Sequence, residues 1–234
     1  MSRRSVTVLV SLLLALVAVT PGGPAVAAEQ DQPDPGRAGP ATAGVVRGGD
    51  VFRSPLGGTC LVSFTVRAAD YDGFVTAGRC GQVGAPAYTV DGVLLGTFHR
   101  VTFPNSDYAV VRLAPGWVPV GEVRTSPNAT MAVKGSTEVP LGGSVCKYGP
   151  QTYLRCGVAQ AKQQTLYFGT YVLYGLTRTN ICPGYNEVGA PIMAGDQAQG
   201  ITIIGSGDCT YGGTTYFQPV NKVLTAYGLT LITS

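Results

Sequence analysis

Short apolar segments separated by turn residues, from about Val45 to the C-terminus, constrain the fold of this chain most strongly. In residues 61–66, for example, Val62, Phe64 and Val66 share one face of an extended chain. Many short strands between turns rich in glycine, of which the chain has 33, predict an all-β sandwich or barrel. The other strand candidates are 73–77, 93–98, 108–113, 158–163, 170–177, 191–193, 198–204 and 214–220.

The two ends of the chain differ from this pattern. Arg3 and Arg4 precede an apolar run over 6–19 and a small-residue stretch, which predicts a secretory signal peptide over residues 1–27. The run is too short for a transmembrane helix, so we expect a secreted protein with no membrane association after cleavage. Residues 28–45 are rich in Ala, Pro and Gly and predict a disordered linker before a domain over 46–234. Near the C-terminus, a short helix is predicted between Pro219 and Gly228.

Charge argues against nucleic acid as a partner. The full chain carries 16 basic and 13 acidic side chains, and removal of Arg3 and Arg4 with the signal leaves 14 basic ones, a net charge of +1. A nearly neutral protein without a basic run is not expected to bind nucleic acid through bulk charge.

The cysteine count predicts disulfides rather than metal binding. An even number, six, in an exported chain indicates three disulfides, and six cysteines allow 15 pairings. No CxxC pair exists and His99 is the only histidine, so we expect neither a metal site nor a cofactor.

Six segments, in order, resemble the motifs of the streptogrisin and α-lytic protease branch of the chymotrypsin-like serine endopeptidases. The resemblance implies two six-stranded antiparallel Greek-key barrels (trypsin-like) with a short C-terminal helix, in a monomer. The segments are VRGGD (46–50), TAGRC (76–80), FPNSDYAVVRL (103–113), VCKYGPQTYLRCG (145–157), CPGYNEVGAP (182–191) and GSGDCTYGGTTYFQPV (205–220).

The resemblance also assigns the catalytic positions, and two of them are substituted. The family carries TAGHC where this chain has Arg79, and GDSGG where it has Val188. Asp107 is the surviving member of the triad, and Asn186 and Val188 take the oxyanion-hole positions. Arginine stays protonated at working pH and valine has no nucleophilic atom, so triad chemistry is not expected.

We therefore predict a pseudoprotease, a non-catalytic binding protein whose ligand is an unidentified protein or peptide. The alternatives are an active secreted serine-type endopeptidase, another hydrolase using non-triad residues, and a decaying copy without a role. For the second alternative, a Ser–Lys dyad would need one of Lys134, Lys147, Lys162 or Lys222, but no spacing in the sequence supports one. His99 is expected to be an ordinary, partly exposed strand residue.

Further expectations concern the structural residues. The family pairing of the cysteines would be Cys60–Cys80, Cys146–Cys156 and Cys182–Cys209. We expect an ion pair between Arg79 and Asp107, and a second between Lys147 and Glu187, which take the positions of an Arg–Asp pair in the family. The cleft segment 203–205 reads Ile-Ile-Gly instead of the family's Ser-Gly-Gly, which predicts a narrower and more apolar cleft.

Overall fold

The structure is a computed structural model that describes residues 44–234. The predicted signal peptide and all of the predicted linker except its last two residues lie outside the described residues. Val45, the last residue of that linker, already begins a strand. The strands are β1 (Val45–Gly48), β2 (Val51–Arg53), β3 (Thr59–Leu61), β4 (Phe64–Arg67), β5 (Asp72–Thr76), β6 (Pro86–Thr89), β7 (Leu94–Thr102), β8 (Tyr108–Leu113), β9 (Val118–Ser126), β10 (Ala129–Ala132), β11 (Ser144–Gly149), β12 (Tyr153–Phe168), β13 (Tyr171–Thr179), β14 (Pro191–Ala194), β15 (Gln197–Asp208), β16 (Gly212–Pro219) and β17 (Thr230–Leu231).

Two curled sheets dominate the fold. The C-terminal one is a closed, six-stranded barrel in the order β11-β12-β13-β16-β15-β14. The N-terminal one has eight strands in the order β17-β4-β5-β8-β7-β6-β2-β3, while β1, β9 and β10 form a small sheet of their own. The all-β prediction is confirmed, although the N-terminal sheet has eight strands rather than six, and one of them, β17, comes from the C-terminus and pairs with β4.

The helix ends as the sequence indicates. Helix α1 (Val220–Tyr227) follows Pro219, and Gly228 closes it in the left-handed conformation at φ 64°. Glycine is suited to this C-terminal position because it has no Cβ to oppose a positive φ. This helix, the only α-helix in residues 44–234, is far too short to cross a membrane.

The predicted alternation in residues 61–66 is wrong, because every residue of this segment is buried. Strand β3 ends at Leu61 and β4 begins at Phe64, so the segment is two strands rather than one. One face packs in the main core. On the other face the Ser63 hydroxyl donates to the carbonyl of Gly200 on β15 at 3.5 Å, so the C-terminal barrel covers this face. A segment covered on both sides has no reason to alternate.

The three disulfides of the family pairing are present. Cys60 is joined to Cys80, Cys146 to Cys156 and Cys182 to Cys209, and no described cysteine is free. Each closes a local loop, with sequence separations of 20, 10 and 27 residues. A cross-link over loops of this size stabilises the fold by about 2–4 kcal/mol in the chain-entropy model.

Candidate functional site

Arg79 and Asp107 form the expected ion pair. Arg79 lies in the single-turn 3₁₀ helix Gly78–Cys80 after β5, and Asp107 directly precedes β8. The Arg79 backbone N–H donates to Oδ1 at 2.9 Å, and Nε donates to Oδ2 at 2.5 Å. Nη2 is also 2.5 Å from Oδ2, yet outside hydrogen-bond geometry. The side chain therefore engages one carboxylate oxygen rather than forking over two.

The pair is buried unequally. The Asp107 side chain is 0% exposed, whereas that of Arg79 is 18% exposed. Burial raises the pKa of Asp107, and the charge and N–H groups of Arg79 oppose the shift. The carboxylate thus sits behind the guanidinium, and the cation is what faces outward.

Two aromatic rings hold the guanidinium, which the sequence did not predict. Its central carbon lies 4.5 Å from the ring centroid of Phe168 and 5.8 Å from that of Phe103. Phe103 in turn packs edge-on against Tyr171 at 4.9 Å. A cation over an aromatic face is attracted to the ring electrons, so Phe168 fixes Arg79 in place. Phe168 ends β12, far along the chain, and no local pattern points to this contact.

The turn that carries Val188 has two unused backbone donors. Asn186 adopts φ 54°, a left-handed conformation that asparagine tolerates better than most residues. Among the hydrogen bonds formed by residues 44–234, the Asn186 and Val188 N–H groups donate none. The Val188 carbonyl and the Gly189 N–H are both used, which fixes the turn on its neighbours. Both residues predicted for the oxyanion hole therefore keep free N–H donors.

A cavity of about 240 Å³ lies between Arg79 and this turn. Its apolar walls include Phe168, Pro183, Val188, Ile203 and Ile204. Ile203 is fully buried, whereas Ile204 is partly exposed, as expected for an apolar cleft. The cavity is smaller than the roughly 300–1,000 Å³ of typical small-molecule sites, so its size suits a single side chain.

The second expected ion pair, between Lys147 and Glu187, is present, and both residues line the cavity. Lys147 donates from Nζ to Glu187 Oε2 at 2.5 Å, and both side chains are 0% exposed. The backbone N–H groups of Gln151 and Thr152 donate to Oε1 at 3.1 and 2.8 Å. Burial alone would raise the pKa of Glu187, but Lys147 and Thr152 together lower it. Burial lowers the pKa of Lys147.

A serine and a lysine do meet, although no sequence spacing indicated it. Lys222 donates from Nζ to Ser106 Oγ at 2.8 Å and to the carbonyl of Tyr174 at 3.2 Å. Burial lowers the pKa of Lys222. Neither Ser106 nor Lys222 lines the cavity beside Val188.

The remaining candidates lie elsewhere. His99 is exposed on β7 and packs edge-on against Tyr71, with 4.9 Å between ring centroids. Lys134 Nζ lies 3.8 Å from Asp196 Oδ2, and Lys162 Nζ lies 2.8 Å from Glu138 Oε1. Within residues 44–234 no three His, Cys, Asp or Glu side chains cluster closely enough to hold a metal ion.

A larger cavity of about 590 Å³ lies beside β1, β2 and β9, apart from these residues. Val46, Trp117 and Tyr148 contribute to its lining, and its charged members, Asp50 and Arg124, pair at 2.5 Å. Its lining residues include no Ser, Cys, His or Lys that could act as a nucleophile or a base. The smaller cavity is therefore the candidate site.

Comparison with known proteins identifies close relatives. The chain is 41% identical to streptogrisin-C of Streptomyces griseus over 189 residues, 81% of this chain and 41% of the relative. It is 30% identical to glutamyl endopeptidase 2 of the same organism over 188 residues, 80% of this chain and 99% of the relative. The crystal structure of Thermobifida fusca protease A superposes with a TM-score of 0.76 at 37% identity, covering 81% of this chain and all of that one.

The extent of these matches differs between relatives. The chain spans 41, 47 and 61% of the lengths of streptogrisins C, D and A. No family model matches the sequence.

Proposed function

The chain belongs to the chymotrypsin-like serine proteases, in the branch of the streptogrisins, and within that family we propose that it is a secreted, non-catalytic member that binds a peptide or protein in its cleft. Arg79 and Val188 would occupy the positions of the general base and the nucleophile. The observation that carries the proposal is the contact of Arg79 with Asp107, which joins the surviving acid to a group unable to accept a proton.

Chemistry supports inactivity at two separate steps. Peptide hydrolysis by a triad needs a group that takes a proton and returns it near neutral pH, and a guanidinium stays protonated. It also needs a nucleophilic atom beside that base, and the Val188 side chain is a hydrocarbon. Either loss alone removes the covalent mechanism.

The surroundings of the cleft support a role in binding. Tyr185 is 88% exposed and Tyr211 is 91% exposed, on the two loops beyond the cavity walls of Pro183 and Gly205. Large aromatic side chains are enriched at protein interfaces because they bury much apolar area at low entropic cost. The free N–H groups of Asn186 and Val188 add polar anchors.

A second candidate function is hydrolysis by the Ser106–Lys222 pair. A lysine whose pKa is lowered by burial can deprotonate a serine hydroxyl, and the 2.8 Å contact meets the distance requirement. Against it, Ser106 is 8% exposed and lies outside the cavity with the free N–H donors. We therefore rank this function second.

The test is turnover and probe labelling of the purified mature protein. We expect no hydrolysis of chromogenic peptide or ester substrates above buffer and no labelling by a fluorophosphonate probe. Ser106→Ala is the matched variant: labelling of the parent that this variant loses would establish the second candidate. Turnover that persists through repurification and is lost on changing a cleft residue would disprove the non-catalytic proposal.

Restoration of the triad gives an independent test. The double variant Arg79→His, Val188→Ser should remain a poor protease, because Asn186, Ile203 and Ile204 still differ from the family pattern. Positioning and oxyanion stabilisation each contribute orders of magnitude to the rate, so a triad alone is not sufficient. A variant with rates approaching those of ordinary family enzymes would show that the cleft is competent for catalysis.

A further inference from the structure

One buried polar atom of the candidate site has neither a hydrogen-bond nor an ion-pair partner among residues 44–234. It is the hydroxyl oxygen of Thr202, a residue that is 6% exposed and lines the 240 Å³ cavity. Native structures seldom leave a buried polar group without a partner. Its position in the cavity wall favours a ligand that supplies one.

The groups in and beside the cavity favour an acceptor. Arg79, Val188 and Thr202 line it, and Asn186 lies two residues before Val188 in the adjoining turn. The guanidinium of Arg79 and the backbone N–H groups of Asn186 and Val188 can only donate, and the Thr202 hydroxyl can do so too. Arg79 Nη1 also donates to no residue in the described part of the chain. A ligand rich in acceptors satisfies this set better than one that brings donors of its own.

The arrangement of charged groups around the cavity favours a negatively charged ligand. Two carboxylates lie near the cavity, but Asp107 is sealed behind Arg79, and Glu187 is fully buried against Lys147. The partly exposed guanidinium is thus the formal charge that the cavity wall presents. A carboxylate accepting charge-assisted hydrogen bonds from such a group is held about twice as strongly as a neutral acceptor.

We propose that the cleft binds the free C-terminal carboxylate of a peptide, with the last side chain, an apolar one, in the cavity. The carboxylate oxygens would accept from Arg79, Thr202 and the N–H groups of Asn186 and Val188. Val188, Ile203 and Phe168 supply the apolar walls, and the volume suits one side chain. This inference rests on the proposed function, because it assigns a ligand to the cleft that the proposed function treats as a binding site.

The comparison of a peptide acid with its amide tests the proposal directly. Fluorescein-labelled tetrapeptides ending in leucine, one as the free acid and one as the amide, would be titrated by fluorescence anisotropy, alongside an acid ending in aspartate. We expect the leucine acid to bind at least about tenfold more tightly than the amide, a difference of ~1.4 kcal/mol. The aspartate acid should bind as weakly as the amide or more weakly. Free acetate should not compete, because it lacks the side chain.

Variants assign the preference to the cleft. The double change Arg79→Gln, Asp107→Asn removes both charges together and should abolish the distinction between acid and amide. Arg112→Gln, which changes an arginine 51% exposed on β8, is the matched control and should keep it. If the double variant fails to fold, Thr202→Val serves instead and should weaken binding of the acid several-fold more than that of the amide.

Each outcome has a distinct meaning. Equal affinity for acid and amide, no binding of either, or a preference that the cleft variants retain would overturn the inference. Mass spectrometry of the recovered peptides separates the two proposals: cleavage of the amide peptide would contradict the non-catalytic function, whereas intact peptides without an acid preference would contradict only the carboxylate site.

Discussion

Two ion pairs within residues 44–234, Lys147–Glu187 and Arg79–Asp107, each join a cation to a buried carboxylate but differ in how far the cation is exposed. Lys147 and Glu187 are both sealed, and the carboxylate accepts additional hydrogen bonds from the backbone of Gln151 and Thr152. Arg79 and Asp107 stand at the cleft, where the carboxylate is hidden and the cation is partly exposed. In the first pair both carboxylate oxygens accept hydrogen bonds within the protein, whereas in the second Arg79 Nη1 donates to no residue in the described part of the chain.

The difference teaches that burial of a charge pair does not define its role. A fully buried pair is costly to break from either side, since the partner left behind has no access to water. A pair at a cleft wall can accept water or a ligand in place of a lost partner. We therefore expect that removing the cation lowers the free energy of unfolding more at the Lys147–Glu187 pair than at the Arg79–Asp107 pair.

The largest effect is expected at the sealed pair. Lys147→Met keeps the volume of the side chain but leaves the Glu187 carboxylate without its cation, and should lower the free energy of unfolding by about 3–5 kcal/mol. Urea unfolding followed by circular dichroism at pH 7 would measure this. Adding Glu187→Gln, which still accepts from the Thr152 N–H, should recover most of the loss. No recovery would mean that packing of the lysine stem, not charge, dominates.

A smaller loss is expected at the cleft pair. Arg79→Ala removes the side-chain donors of Asp107 but leaves the backbone N–H of residue 79, and water can enter from the cleft. We expect a loss of about 2 kcal/mol, within the range for a buried group left short of partners. Arg79→Lys is the control that keeps the charge and should lose less. A loss as large as that of Lys147→Met would remove the distinction between the pairs.

Space around the sealed carboxylate provides the third test. A Cβ on Gly149 would lie 2.0 Å from Glu187 Cδ, and one on Gly184 would lie 2.1 Å from Oε2. Gly149→Ala should therefore cost about 1–3 kcal/mol through overpacking. Adding Glu187→Asp, which shortens the side chain by one methylene, should make the alanine less costly than it is alone. A double-mutant cycle from thermal unfolding measures this coupling, and additive losses would exclude it.

The smallest effect, the dependence of stability on pH, should have opposite signs at the two carboxylates. The pKa of Glu187 is lowered, so its contribution is present above its ordinary value of 4.5 and is lost as pH falls through the folded-state pKa. The pKa of Asp107 is raised, so between its ordinary value of 3.8 and the folded-state pKa its contribution grows as pH falls.

Double variants in which both members of a pair are made neutral separate the contributions of the two carboxylates. Between pH 6 and pH 3, Lys147→Met with Glu187→Gln should lose less stability than the parent. Arg79→Gln with Asp107→Asn should lose more. Urea midpoints measured at half-unit pH intervals would decide, and parallel curves for both variants would refute the assignment of signs.

The parts of the fold that the sequence predicts are local. Helix α1 was predictable because Pro219 and Gly228 mark its ends within a single segment. The ion pairs followed from motifs that the family keeps in register. Segment 61–66 was mispredicted because its second face is also buried, against residues such as Gly200 of the other barrel, which no local pattern encodes.

The contacts that complete the site are not local, which is why the sequence did not predict them. Phe168 reaches Arg79 from the end of β12, and Lys222 reaches Ser106 from helix α1. The free Thr202 hydroxyl is visible only when its surroundings are known. Such contacts depend on how two sheets meet, and a single sequence carries no periodic signal for them.

The return of strand β17 to the edge of β4 ties the C-terminal end of the chain to the N-terminal sheet. After leaving β16 of the C-terminal barrel, the chain passes through α1, where Tyr227 shares a hydrogen bond of 2.7 Å with Thr102, and then pairs with the N-terminal sheet. Moving α1 and β17 away from the N-terminal sheet would break these contacts. We therefore expect a pre-organised site, where a ligand associates in a single kinetic phase at a rate near the roughly 10⁵–10⁷ M⁻¹s⁻¹ of rigid partners, with no slow opening step before it.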